Sequence, residues 1–231
     1  MASKKLLPQY DGPLSPRQAA TGIAAAVANA RALVEDAEAL LEKRRWPRAT
    51  ALAVLAIEEA GKPTIIRSIL LARDEKERRE EWKAYRSHTK KNLAFILPEL
   101  VGQGARSLDD LAPIFDPESN HGHVLDTLKQ IGFYSEAGGD CNWSRPDNVI
   151  NESLARSIVS AARLLASAGG AAMSSEAELE LWIKHLKPVW KSEAAFEVKQ
   201  ALAACYAEAE ASGLLQGKQT ASRMTKFLFG I

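Results

Sequence analysis

Apolar residues recur at three- and four-residue steps along most of this chain, the period at which a helix turns one face toward a core. Ser15 followed by Pro16 reads as an N-cap with proline at the first helical position, and it opens a helix that runs to about Arg44. Ile23, Val27, Leu33, Val34, Ala37, Leu40 and Leu41 form its apolar stripe, while Arg31, Glu35, Glu42 and Lys43 fall on the exposed face. Pro47 opens a second helix, to about Arg73. A third is predicted from Asp74 to near Pro98, antiparallel to the second. It begins with the charge run Asp74 to Glu81, which reads as a solvated face that needs no ligand.

The pattern weakens between Gly102 and Glu118, where a loop or short helices are expected, and returns from about Asn120 to Ile131, leading to Tyr134. Ser135 to Asp147 is rich in turn formers and reads as a long loop or a small hairpin. A helix capped at or near Asn151 places Leu154, Ile158, Ala161, Ala162 and Leu165 on one stripe and stops at Gly169 and Gly170. Further helices are expected at about 175–187, 190–212 and 219–229. The aromatic-rich stretch Trp182 to Trp190 reads as packing against the main bundle. The expected fold class is therefore all-α: an N-terminal arm over 1–14, an antiparallel helical bundle over 15–170, and a helical C-terminal extension over 171–231.

Charge changes this picture by exclusion. Thirty basic and 29 acidic residues give a formal net charge of +1, so the chain has no overall basic field of the kind that marks a dedicated nucleic-acid binder, and any RNA contact must be local. Cys141 and Cys205 are too few and too far apart for a disulfide framework, which fits a reducing compartment. No apolar run is long enough for a signal peptide or a membrane span, so a soluble, cytoplasmic protein without membrane contact is expected. No Gly-rich phosphate loop is present, and no cofactor is expected.

Three charges interrupt the apolar stripe of the second helix. Glu58, Glu59 and Lys62 fall within a sector of about 100° shared with Ala51, Leu55, Ile65, Ile66 and Ile69. Taking such groups out of water costs several kcal/mol each unless they are paired, so they need partners on each other or on a facing helix. Glu58 and Lys62 are an i, i+4 pair in the favourable order. His88 and Asn92, at the edge of the third helix's core face and flanked by Lys90 and Lys91, are the expected neighbours. In that arrangement Glu58 or Glu59 orients the His88 imidazole, while Lys62 and Lys91 make the pocket locally cationic and suited to a phosphate-bearing substrate. The same residues also read as a satisfied polar network that fixes the register of a bundle.

Other constellations are thinner. Glu118 and His121 have the Glu-x-x-His spacing of di-iron bundles, but the chain holds no second copy. His121, His123, Asp140 and Cys141 would hold a metal only if a long loop folded around it, and no metal site is expected. His185 and Cys205 read as isolated helix residues.

The runs Ala53-Val-Leu-Ala-Ile-Glu-Glu-Ala-Gly-Lys62, Tyr85-Arg-Ser-His-Thr-Lys-Lys-Asn92 and Leu128-Lys-Gln-Ile-Gly-Phe-Tyr134 together resemble the AbiV family of abortive-infection proteins, over roughly residues 20 to 168. These belong to the HEPN helical bundles of prokaryotic antiviral and toxin systems, many of which are ribonucleases. The resemblance implies a HEPN-like bundle of a kind that often dimerises, with a site near the dimer interface and RNA as substrate where the member is catalytic. HEPN ribonucleases carry an arginine four to six residues before a histidine and cleave RNA without metal by acid-base chemistry at the 2′-hydroxyl. This chain departs from that pattern. Lys83 precedes His88 at the matching distance, and Arg86 is too close in sequence.

Two readings follow from the resemblance. In one, His88, Glu59, Lys62 and Asn92 carry catalysis while Glu58, Arg86 and Lys91 bind substrate, Arg86 being contributed across a dimer. In the other, the site is degenerate and the protein acts in phage defence by binding a phage or host protein.

Overall fold

In a computed structural model, the residues described are 9–116, 120–135, 137, 143–168, 172–215 and 220–230. Among them, every regular element is a helix. Helix α1 spans Pro16–Glu42 and starts in a capping box: Ser15 Oγ accepts from the Gln18 amide, and the Gln18 side chain accepts from the Ser15 amide. Its buried stripe, Ala19, Ile23, Ala26, Ala30, Val34 and Ala37, is rich in alanine, and those small side chains let the next helix approach closely.

That helix, α2 (Trp46–Leu71), is the centre of the molecule. It packs against α1, α3 (Glu75–Arg86), α4 (His88–Lys91), α6 (His121–Phe133), α8 (Glu152–Ala168) and α9 (Glu176–Leu186). A helix covered on most sides carries apolar residues around most of its circumference, as α2 does with Val54, Ile57, Ile65, Ile66, Ile69 and Leu70. The main core lies between α1, α2, α6 and α8, with Val34, Val54, Ile57, Leu125, Ile158 and Val159 at its heart.

The predicted third helix is two helices. α3 ends at Arg86, because Ser87 takes an extended conformation (φ −82°, ψ 126°) and its hydroxyl accepts from the Lys90 amide to start α4. Leu93–Ile96 then forms a 3₁₀ turn, followed by α5 (Leu97–Gly102). A projection that treats residues 74–98 as one helix therefore misplaces everything after the break. The charge run is solvated as expected: Asp74 caps α3 by accepting from the Glu77 amide, and Arg73–Glu77 and Arg79–Glu75 pair on the surface. Trp82 anchors α3 inward and donates its indole N–H to the Gly12 carbonyl.

A 3₁₀ helix at Asp109–Phe115 accounts for the weak pattern after Gly102. Within the turn-rich segment, one antiparallel bridge joins Ala137 to Trp143, and the short α7 (Pro146–Val149) follows. Beyond α8, α9 docks on the bundle through Leu179, which is fully buried against Ala19, Ile23, Ile66 and Leu70. α10 (Ala195–Ala211) covers α9 around Met173, Leu186, Cys205 and Ala209. α11 (Thr220–Phe229) returns to the 3₁₀ segment, where its Phe227 carbonyl accepts from the Leu108 amide. No helix among the described residues is long and apolar enough to cross a membrane.

Candidate functional site

The site is built on a close approach of backbones. A Cβ at Gly61 of α2 would lie 2.1 Å from the Lys91 carbonyl oxygen, and one at Gly122 of α6 would lie 2.8 Å from that of Thr89. Only glycine at both positions lets the short helix α4 settle against α2 and α6. Gly61 and Pro63 are poor helix formers inside a long helix, so local propensity is sacrificed here for that contact.

Docking α4 brings Glu58 into the middle of a charge network. Glu58 is 3% exposed. Lys129 Nζ of α6 donates to its Oε1 at 2.7 Å, His88 Nδ1 lies 2.6 Å from its Oε2, and Lys91 Nζ is 3.4 Å from the same oxygen. Lys129 is shared, since Asp126 Oδ1 lies 2.7 Å from its ammonium one turn away on α6. Burial would raise the Glu58 pKa, but the hydrogen bonds from Lys129 and His88 and the charges of Lys129 and Lys91 outweigh it and hold the carboxyl low. Burial would likewise neutralise Lys129, and its bonds to Asp126 and Glu58 overcome that and raise its pKa. Buried Glu58 and the partly exposed Asp126 thus balance two buried ammonium groups.

His88 stands apart by its exposure. Its side chain is 55% exposed, although Nδ1 is held by the buried carboxylate. An ionised carboxylate only accepts, so Nδ1 carries the proton, and in the neutral ring Nε2 presents a lone pair. Nε2 has no hydrogen-bond partner among the described residues. A histidine oriented through one nitrogen and open at the other can take and return a proton.

The remaining expected residues separate from this centre. Lys62 pairs with Glu59 at 2.5 Å, one turn back, in place of the expected Glu58, and it lies 5.4 Å from the Tyr85 ring centroid. Neither Glu59 nor Lys62 bonds to His88. Asn92 has no exposed surface, and both its amide atoms are buried without a partner among the described residues, so it lies beneath the site and cannot touch a substrate from there. Lys91 is also buried, its ammonium turned toward Glu58 and away from solvent. Arg86 donates to the Tyr10 carbonyl at 2.6 Å and lies over the Trp82 ring, because the break at Ser87 leaves it on the last turn of α3, turned toward the N-terminal segment.

Asp126 and Lys129 are the members that sequence reasoning missed. Their i, i+3 spacing beside Gly132 was the available signal. Glu58, His88 and Asp126 offer donor atoms within 4.8 Å of one another, as a metal site would. The Lys129 ammonium already lies 2.7 Å from both carboxylates, and a cation there would have to displace it. Glu118, Asp140, Cys141 and the His121 side chain lie outside the described residues. His185 is not isolated, since its Nε2 meets Glu208 at 2.7 Å; Cys205 is buried beside Met173, and burial pushes its thiol up to about 12.

No curated protein and no solved structure matches the chain. The AbiV family, HEPN_AbiV, matches it over residues 18–167, a span that runs from the first turn of α1 to the last turn of α8 and holds every member of the Glu58 network. The chain belongs to the AbiV family of HEPN proteins, the family of abortive infection.

Proposed function

We propose that this protein acts in anti-phage defence as a metal-independent ribonuclease in which His88 performs the acid-base chemistry. The observation that carries the reading is the His88–Glu58 pair: a buried, ionised carboxylate holds one ring nitrogen, and the other faces solvent. His88 Nε2 removes the proton of the ribose 2′-hydroxyl, the resulting oxyanion attacks the adjacent phosphorus, and the imidazolium returns a proton to the departing 5′-oxygen. Glu58 stabilises the imidazolium as it forms, as a positioning residue that never meets the RNA. With Arg86 turned away and Lys91 buried, part-buried Lys62 and exposed Lys90 are the cations left near α4 to meet a phosphate.

In this reading the protein works as a cytoplasmic homodimer. Exposed apolar side chains at Val124, Phe133, Tyr134, Trp143 and Val149 support a subunit contact on the α6–α7 side. The alternative, action through a phage or host protein without catalysis, draws on the same network as a packing device and on the departed arginine motif.

Purified protein assayed on RNA in excess chelator separates the two. Cleavage that falls by about 10²–10⁴-fold in His88→Ala at unchanged melting temperature is the expected result. Full phage protection by His88→Ala would sink the catalytic reading and favour the binding one. A pull-down from infected cells that recovers no protein partner would count against the latter.

A further inference from the structure

A second polar feature lies further along α2, outside the Glu58 network. A pocket of about 440 Å³, within the range of small-molecule sites, opens between α2, α8, α10 and α11. Its walls are mostly apolar, from Ala60, Pro63, Leu165 and Met224, with Arg67 and Tyr206 as its principal polar groups.

Arg67 is held in place by the main chain and has no ion-pair partner among the described residues. Nη1 donates to the Ala172 and Met173 carbonyls at 3.4 and 3.3 Å, Nη2 meets Thr64 Oγ1 at 3.4 Å, and the guanidinium lies 5.7 Å from the Trp182 ring centroid. No carboxylate among the described residues lies within ion-pair distance. Burial lowers the Arg67 pKa against the pull of Tyr206 and Glu178, and the Glu178 oxygens accept from the amides of Met173, Ser174 and Ser175. Nε has no acceptor among the described residues and the contact of Nη2 with Thr64 is long, so the guanidinium keeps N–H capacity for a carboxylate or phosphate. Thr64, which meets Nη2, lines the same pocket.

Tyr206 adds a donor. Burial pushes its phenol up, so the hydroxyl keeps its proton across the neutral range, and it has no hydrogen-bond partner among the described residues. A fixed guanidinium with an N–H to spare and a phenol at the wall of an apolar pocket match one ligand chemistry, a single anionic group on an apolar body.

We infer that this pocket binds a small amphipathic anion, a carboxylate or phosphate monoester, with its charged group on Arg67 and Tyr206 and its apolar part against Pro63, Leu165 and Met224. The site is independent of the His88 chemistry.

Calorimetry and thermal melting of the full chain with 4-phenylbutyrate, 4-phenylbutyl phosphate and the neutral 4-phenylbutan-1-ol test it without RNA, so the outcome does not depend on nuclease activity. The expected result is saturable binding of at least one anion, about tenfold or more tighter than the alcohol. Arg67→Gln is expected to erase that difference, and the preferred head group distinguishes carboxylate from phosphate. Should Arg67→Gln fail to fold, Tyr206→Phe carries the test, with a several-fold loss expected for the anion and none for the alcohol. Equal binding of alcohol and anions, no binding of either anion, or wild-type anion affinity in both variants would overturn the inference.

Discussion

Glu58 is the residue on which the centre of the molecule depends electrostatically. It offsets two buried ammonium groups, so Glu58→Gln leaves Lys129 and Lys91 short of an anion and is expected to cost about 3–5 kcal/mol. The pH dependence follows from the direction of its shift. A carboxyl with a folded pKa below its unfolded value near 4.5 contributes stability that is present above that value and lost as pH falls through the folded one. Lys129 is shifted the other way: its contribution is present below 10.5 and lost as pH rises through a higher folded value. Between those limits the pair is expected to contribute a plateau. Melting temperatures measured from pH 3 to 7 are expected to fall steeply on the acid side for the native chain and more gently for Glu58→Gln. An unchanged acid limb would show that the carboxylate is not a main source of acid sensitivity. The anomaly of charge in the α2 stripe was legible in the sequence, and so was a histidine partner for it. Which ammonium Glu58 takes was not, because Lys62 sits at an attractive i, i+4 distance while Lys129 and Lys91 reach it only through tertiary packing.

At the level of elements, the informative unit is the four-residue helix α4 held between two glycines. Alanine at an interior helix glycine ordinarily stabilises by about 0.5–1 kcal/mol. Gly61→Ala is expected to do the reverse, because its Cβ would meet the Lys91 carbonyl at 2.1 Å and push α4 off α2, taking His88 away from Glu58. A loss of about 1–3 kcal/mol in denaturant titration, with a changed His88 ring signal by NMR, is expected. Gly122→Ala, with 2.8 Å to the Thr89 carbonyl, should follow in the same direction and less severely, while Gly102→Ala, with open space around it, should be neutral or better. Equal effects at Gly61 and Gly102 would mean that close backbone approach is not what holds the site. Helix positions were readable because periodicity and caps are local: Ser15, Pro16 and Pro47 mark starts that α1 and α2 keep within a residue or two. The break at Ser87 was not readable, since Tyr85 to Asn92 contains no proline or glycine to announce it. It lets residues 88–91 pack closely against Gly61 and Gly122.

For the whole molecule, the open matter is whether the C-terminal helices are an appendage or part of the folding unit. The family match ends at residue 167, and the sequence changes character at the following glycines, which suggests an appendage. Packing suggests the opposite. Leu179 of α9 is fully buried in a cluster whose other members, Ala19, Ile23, Ile66 and Leu70, belong to α1 and α2. Arg67 of α2 is bonded to the carbonyls of Ala172 and Met173, and α11 hydrogen-bonds to Leu108 in the segment before α6. If these contacts make one cooperative unit, Leu179→Ala is expected to lower global stability by about 2–5 kcal/mol, the usual range for truncating a fully buried leucine, and to leave a single unfolding transition. Calorimetry with far-UV dichroism reads both quantities. Two separated transitions, with the larger keeping its native midpoint in the variant, would instead mean that α9 to α11 melt alone. The stripe of α1 and α2 weighs against that outcome: removing α9 would expose Ile23, Ile66 and Leu70 to water, at about 1.5–3 kcal/mol for each side chain that becomes fully exposed. A bundle that left these residues uncovered would present an apolar face continuous with its own core, so the extension is expected to fold with the helices it covers.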